Sequence, residues 1–415
     1  MTDISQETKK VLDIQAIRNE FPVLDQEVNG KPLAYFDNAA TTQKPIQVIN
    51  ALDEYYRGYN ANIHRGIHTL AEKATKAFED TRVVLQQFLN SREKEEIVFT
   101  KGTTDSINLV VATYGRKFIG AGDEIILSGL EHHSNIVPWQ ILAEEKGAVI
   151  KVIPVFDNGE LDYETFENLL SDKTKFVSVN HASNSLGTIN DIKRIIKGAH
   201  GVGAKVLIDG AQASAHIELD VQDFDCDFYA VSSHKFYGPT GAGALYGKRE
   251  LLESMPPYQG GGEMIKDVSF SGTTYNDIPY KFEAGTPNIA DIVALKEGIN
   301  FIKRFGKENI AAHELDLLAY TVDGLNTIEG MRLIGTAKHK VSVQSFLIDG
   351  VHPFDIGQML DARGVAVRTG HHCTQPLMDS MGIEGTVRAS FAIYNTREEI
   401  DRMVEGLTRI VKFMK

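Results

Sequence analysis

The 415-residue chain is 42% hydrophobic and 24% charged, the mix of an ordinary globular protein, and it is long enough for a large core with a second lobe. A formal net charge of −13 argues against nucleic acid or an anionic membrane surface as a partner. No apolar run reaches the length of a membrane span, and the start, Met1-Thr2-Asp3-Ile4-Ser5-Gln6-Glu7, lacks the basic and apolar pattern of a signal peptide, so a cytoplasmic location is expected.

Residues 14–21 predict a short amphipathic helix stopped by Pro22. Residues 33–42 predict a strand running into a small polar turn, and helical spacing of apolar residues follows over about 45–56 and 70–89. From Ile97 the pattern changes to short apolar runs at 97–100, 124–128, 149–153, 176–179, 206–209, 228–231 and 243–246, with helical stretches between most of them. That alternation predicts an α/β fold with a mainly parallel seven-stranded sheet covered on both faces, whose functional groups gather at the carboxyl ends of the strands. The Gly-, Pro- and Tyr-rich segment 256–287 reads as an irregular insertion, followed by a long helix over about 289–305. The rest reads as a smaller α+β lobe, with strands at 340–346, 365–368 and 387–391, a helix near 353–363, and a last helix capped near Thr396 with Glu398 and Glu399 in its first turn.

The chemically informative residues fall at the predicted strand ends. Lys235 follows the run 228–231 and precedes the Gly-rich segment Thr240-Gly241-Ala242-Gly243. A lysine at the end of a buried strand is either an ordinary surface charge or an amine of lowered pKa able to form a Schiff base, and pyridoxal phosphate is the common cofactor carrying a suitable carbonyl. Asp209 ends another strand, where it serves either as a turn residue or as the buried anion that keeps a pyridine nitrogen protonated, with Gln212 placed to contact the ring's phenolic oxygen. The segment Lys101-Gly102-Thr103-Thr104-Asp105-Ser106 joins a strand to a helix and has the makings of an anion site, although by itself it equally suits a plain helix cap. His132 follows the run 124–128 and could lie flat on an aromatic ring; a metal-binding pair with His133 is disfavoured, because adjacent side chains on a strand point opposite ways.

Taken together, these stretches resemble the class V, fold-type I pyridoxal phosphate enzymes, and among them the SufS-type (group II) cysteine desulfurases. The matching stretches are Phe36-Asp37-Asn38-Ala39-Ala40, Ile63-His64-Arg65-Gly66, Lys101 to Thr104, Glu131 to Trp139, Asn180 to Asn184, Asp209 to Gln212, His234-Lys235, Glu283 to Pro287 and Arg368 to Cys373. The resemblance implies a large cofactor-binding domain over 26–295 and a small α+β domain made of 1–25 and 296–415. It implies Lys235 as the Schiff-base lysine, His132 stacked on the ring, Asp209 on the pyridine nitrogen and Gln212 on the phenolic oxygen. Thr103, Thr104, Ser232 and His234 would hold the phosphate, helped by Thr286 from the second subunit of a homodimer.

Two cysteines, Cys226 and Cys373, form no metal framework and are not expected to pair as a disulfide. Cys373 follows His371 and His372 on a loop, a cationic setting that suits a thiolate, whereas acids flank Cys226 and leave it inert. A zinc cluster at 371–373 lacks a second His/Cys pair at ligand spacing. By the same resemblance, L-cysteine is the substrate, with its carboxylate gripped by Arg388 and assisted by Asn184. Lys235 would move the α-proton, and the Cys373 thiolate would take the substrate sulfur as a persulfide, leaving alanine. Arg368, His64 and His371 would line the entrance or position the substrate. The short spacing from Arg368 to Cys373 implies a limited reach and stimulation by a sulfur acceptor of the SufU or SufE type, serving iron–sulfur cluster assembly. Thr374 departs from the alanine common in the family. Selenocysteine lyase activity, another class V reaction such as transamination, and a cofactor-free scaffold are the competing readings.

Overall fold

The computed structural model describes residues 12–414, so the reading of the first residues and the 1–11 part of the expected small domain lie outside the described residues. The apolar runs form one seven-stranded sheet in the order Ile97–Thr100, Gly243–Gly247, Phe228–Ser232, Lys205–Asp209, Thr174–Asn180, Glu124–Ser128, Val149–Ile153. Gly243–Gly247 runs antiparallel to both of its neighbours, and the remaining pairs are parallel. Ile97–Thr100 therefore points the same way as the parallel strands, and its carboxyl end joins theirs on one edge.

Alternating side chains divide the strands between two apolar layers. Ile126, Val177, Val179, Ile208 and Val231 pack with Leu85, Ile195 and Ile299 from the helices Thr69–Leu89, Ile192–Gly201 and Ile289–Phe305. Ile125, Leu127, Phe176, Leu207 and Phe228 pack on the other face with Ile107, Trp139 and Leu142 from the helices Thr103–Val110 and Val137–Lys146. Val149–Ile153 is one of the two edge strands, and Val149 and Val152 on it are half exposed.

A second, antiparallel sheet has the order Met331–Ile334, Val343–Ile348, Thr386–Ser390, Arg368–Gly370. Its core includes Leu317, Ile356, Ile400 and Met403 from the helices Lys307–Leu325, Pro353–Asp361 and Arg397–Met414. This half departs from the sequence expectation in several places. The helix Lys307–Leu325 and the strand Met331–Ile334 were not foreseen. The expected strand 365–368 is split: Val365–Ala366 pairs in parallel with Ala34–Tyr35, and Arg368–Gly370 pairs with 386–388 instead. The strand expected at 340–346 begins later, because Val341 N–H is committed to the Gly187 carbonyl. The segment 256–287 is not wholly irregular, since Ile265–Ser269 and Gly272–Tyr275 form an exposed hairpin.

Behind the sheet, Arg82 is fully buried and donates to Glu79 and, with both terminal nitrogens, to Glu283. Burial alone would lower its pKa, but the two carboxylates outweigh that and hold it above the ordinary arginine value. Glu283 also accepts from Phe99 N–H at 2.8 Å, so the pair fixes the Glu283-to-Pro287 turn against the sheet. Arg82→Met strands a buried carboxylate and is expected to lower stability by about 3–5 kcal/mol in a denaturant melt. Arg397→Met, which breaks an exposed pair with Asp316, is expected to change it by no more than about 1 kcal/mol.

Candidate active site

A cavity of about 460 Å³ opens at the edge where the parallel strands end. Its wall includes Thr103, Thr104, His132, Asp209, Gln212, Ser232, His234 and Lys235 from the large sheet. Asn184 lies on the wall too, and Arg368, Cys373 and Arg388 arrive from the smaller lobe. Twelve of the expected site residues, separated by up to hundreds of positions in the chain, thus share one cavity.

The anion end is built on the start of the helix Thr103–Val110. Thr103 N–H donates to Ser232 Oγ at 2.8 Å, and the two hydroxyls lie 3.0 Å apart. Gly102 caps this helix at φ +137°, and a Cβ on Gly243 would come within 2.6 Å of the Gly102 Cα, so both positions need glycine for the strand and turn to approach. His234 on the same wall is kept neutral, with burial first and then Lys235 and Lys44 lowering its pKa to about 4. Hydroxyls, a free helix start and an uncharged imidazole suit a phosphate.

Lys235 sits in the turn Ser233–Lys235 after the strand Phe228–Ser232. Burial lowers its pKa to about 8; Asp209 opposes the shift and Arg388 adds to it. Asp209 is itself buried, and burial raises its pKa against the Ala211 N–H, which donates at 2.9 Å, and the Lys235 charge. His132 is fixed by Ser134, whose backbone N–H donates to Nδ1 at 3.1 Å; this places the ring proton on Nε2, and burial lowers the pKa to about 3. The ring is therefore a neutral flat surface. Glu131 beside it accepts from Ser128, Asn135 and the Asn180 backbone, and burial raises its pKa to about 8.

Cys373 is exposed, and it and His372 both have left-handed backbone, at φ +57° and +54°. The loop is clamped: His133 N–H donates to the Cys373 carbonyl at 2.8 Å, and Asn184 Nδ2 donates to the His372 carbonyl at 2.7 Å. Cys226, by contrast, is enclosed, and burial and then Asp227 push its thiol pKa up. Arg388 is fully buried; Nη2 lies 2.8 Å from Asp37 Oδ1, and Nη1 donates to the Asn184 carbonyl at 2.9 Å.

Three of the expected residues are not on this wall. His64 is drawn to the helix Thr69–Leu89 by Glu79, 3.1 Å from Nε2, with Glu263 3.8 Å from Nδ1. Thr286 lines a neighbouring cavity of about 270 Å³ with Lys101 and Tyr258. His371 points out at the exposed side of the cysteine loop, where its carbonyl accepts from Thr374 N–H. The expectation for Asn184 is also amended, since its side-chain nitrogen is spent on the loop.

Sequence reasoning missed Asp37 and Asn180, and it took His372 for a cation beside Cys373, whereas burial lowers the pKa of that imidazole to about 2 and leaves it neutral. Asp37 carried the same signal as Asp209, an acid closing an apolar strand. Its partner, however, is 351 positions away.

The cavity can be tested for the cofactor that the resemblance implied. Gln212 Oε1, His372 Nδ1 and Arg388 Nε are buried without a hydrogen-bond partner among the described residues, and all three side chains line the cavity. Such atoms are costly to leave unpaired, and a polar ligand bearing a phosphate, a ring nitrogen and a carbonyl fits the groups around them. Among the described residues, no cluster of His, Cys, Asp and Glu could hold a metal ion.

The aminotransferase class-V family profile matches residues 34–403. The chain belongs to the class V aminotransferases. A probable cysteine desulfurase of Halalkalibacterium halodurans is 48% identical over 97% of this chain and 99% of its own length. A probable cysteine desulfurase of Mycolicibacterium paratuberculosis is 50% identical over 97% of this chain, and the chain spans only 59% of that longer relative. The solved cysteine desulfurase CsdA of Escherichia coli, in its S-sulfonic acid form, superposes with a TM-score of 0.90 at 37% identity, covering 97% of this chain and 100% of that one. Within the class V aminotransferases the chain therefore groups with the cysteine desulfurases, and its mainly parallel seven-stranded sheet is their fold-type I arrangement.

The unprotonated amine is the nucleophile toward an aldehyde. In this class V aminotransferase the borohydride-trapped yield of pyridoxal phosphate on Lys235, read by peptide mass spectrometry, is expected to rise with pH around a midpoint of about 8. A midpoint near the ordinary lysine value of about 10.4 would contradict the enclosed amine.

Proposed function

We propose that this chain is a pyridoxal phosphate-dependent cysteine desulfurase of the SufS type, converting L-cysteine to L-alanine and leaving a persulfide on Cys373. The observation that supports this most directly is the sharing of one cavity wall by an enclosed amine, Lys235, and an exposed thiol, Cys373.

When bound, pyridoxal phosphate supplies an aldehyde that captures amines and a ring that draws electron pairs away from bonds to the α-carbon. The residues that would hold it are Lys235 at the aldehyde, Asp209 at the ring nitrogen and Gln212 at the phenolic oxygen. His132 would lie against the ring face, with Thr103, Thr104, Ser232 and His234 around the phosphate. Thr286 would reach the phosphate of the second protomer in a homodimer.

Arg388 binds the substrate carboxylate, an ion pair whose geometry arginine suits. Lys235 Nζ, with its pKa lowered to about 8 by burial, takes the proton from the α-carbon as a general base near neutral pH. Cys373 Sγ attacks the substrate sulfur; the S–S bond forms as the C–S bond breaks, and the sulfur stays with Cys373. Two carbons then need protons: Lys235 returns to the α-carbon the proton it took, and the β-carbon takes up one proton, balancing the one the Cys373 thiol lost on becoming a thiolate, which completes alanine. The loop clamp from His133 and Asn184 sets where Cys373 meets the substrate.

The same reading assigns a large cofactor-binding domain to 26–295 and a small domain to 296–415 together with the first 25 residues. The persulfide would pass to an acceptor of the SufU or SufE type for iron–sulfur cluster assembly in the cytoplasm. Among the described residues no helix is long and apolar enough to cross a membrane.

With L-cysteine as substrate, Cys373→Ala is expected to reduce alanine release to background while the visible absorption of the bound cofactor persists. Lys235→Ala is expected to lose both. Alanine formation at the wild-type rate by Cys373→Ala would exclude the persulfide route.

A further inference from the structure

Two guanidinium groups meet on the cavity wall. Arg368 and Arg388 are direct partners across the antiparallel strands Arg368–Gly370 and Thr386–Ser390, where like charges repel. Asp37 spans them, with Oδ1 2.8 Å from Arg388 Nη2 and Oδ2 3.3 Å from Arg368 Nη1. Its backbone is held beside Ser390 by an isolated parallel bridge. Both arginines line the cavity and Asp37 does not, so a ligand meets the cations while the carboxylate lies behind them.

Two positive charges and one negative leave a single unit of positive charge on this part of the wall. The neighbouring imidazoles do not add to it: burial lowers His132 to about 3 and His372 to about 2, and both are neutral at physiological pH. Arg388 is buried and held at two points, by Asp37 and by the Asn184 carbonyl. Arg368 is different: its side chain is 46% exposed and its charged partner is Asp37. Released from that partner, it could swing to a second anionic group on a ligand.

We propose that Asp37 is a specificity-determining residue that leaves the arginine pair with one net positive charge and keeps Arg368 from a second anion, so that the site selects amino acids with one carboxylate over those with two. The proposal rests on the reading of the cavity as an amino-acid site. One carboxylate neutralises the pair. The remaining cation on the wall, Lys235, is already met by Asp209, so a second carboxylate would enter a partly buried site without a free partner and would lose its hydration for nothing.

The test is an equilibrium titration of the holoenzyme, followed by cofactor absorbance, with L-alanine and L-aspartate at fixed ionic strength. The wild type is expected to prefer L-alanine. Asp37→Asn is expected to shrink that preference roughly tenfold, the scale of one screened unit charge, mainly through tighter L-aspartate binding. The double variant Asp37→Asn/Arg368→Gln, which returns the pair to one net charge, is expected to restore it. An unchanged ratio in Asp37→Asn, or no recovery in the double variant, overturns the proposal. If the loss of Asp37 prevents folding, Arg368→Gln decides. The pair is then neutral, and the preference for L-alanine over L-alaninamide is expected to fall roughly tenfold; equal effects on both ligands overturn the proposal. A wild type that neither responds to L-alanine nor forms alanine from L-cysteine removes the amino-acid reading, and this proposal with it. A normal wild type with an unaltered Asp37→Asn ratio removes the role of Asp37 alone.

Discussion

An amine recessed in a cavity wall and largely surrounded by protein cannot hold its proton as a surface lysine does, and the cavity is arranged around that fact. Lys235 keeps a pKa of about 8 rather than falling further because Asp209, on the adjoining strand end, lies close enough to oppose the burial. Asp209 in turn is buried, and the same amine opposes the upward shift that burial gives its pKa. The two groups face each other because their strands pair in parallel, with Asp209 in register with Ala230. That pairing exists because both faces of each strand are apolar and covered. The polar chemistry is thus secured by hydrophobic packing on either side of it.

One short segment ties the two lobes to this centre. Ser390 Oγ accepts from Ala39 N–H at 2.8 Å and donates to the Phe36 carbonyl, and Asn38 donates to the Ser390 carbonyl at 2.6 Å. A few residues on, the His234 carbonyl accepts from Thr42 N–H and Lys44 Nζ, each at 3.0 Å. The strand bearing Arg388 and the turn bearing Lys235 are therefore fastened to the same nine-residue stretch, 36–44. Lys44 makes these contacts from a partly buried position, and desolvation lowers its pKa to about 7.

The large sheet was legible because each of its strands is a compact apolar run bounded by turn residues, and the residues that close those runs could be picked out one by one. The smaller lobe was harder. Its strands 331–334 and 368–370 are short and partly exposed, and they carry no pattern of their own; their pairing is set by partners far along the chain. The cavity shows the same division. Asp209, His132 and Lys235 announce themselves at strand ends, while Asp37 and His372 matter through contacts between lobes that no local window contains. His64 and Thr286 illustrate the opposite limit: a motif can be recognised although its side chain lies outside the cavity of its own chain.

The cysteine loop carries a further consequence. Its backbone runs through two consecutive left-handed residues, and the carbonyls of both are held by groups of the large lobe. A sulfur mounted this way has little arc of travel beyond its own side-chain rotation. On the proposed function, an acceptor therefore has to bring its reactive group to the exposed thiol, and the fit between the two is set by the acceptor's approach and not by any swing of the host.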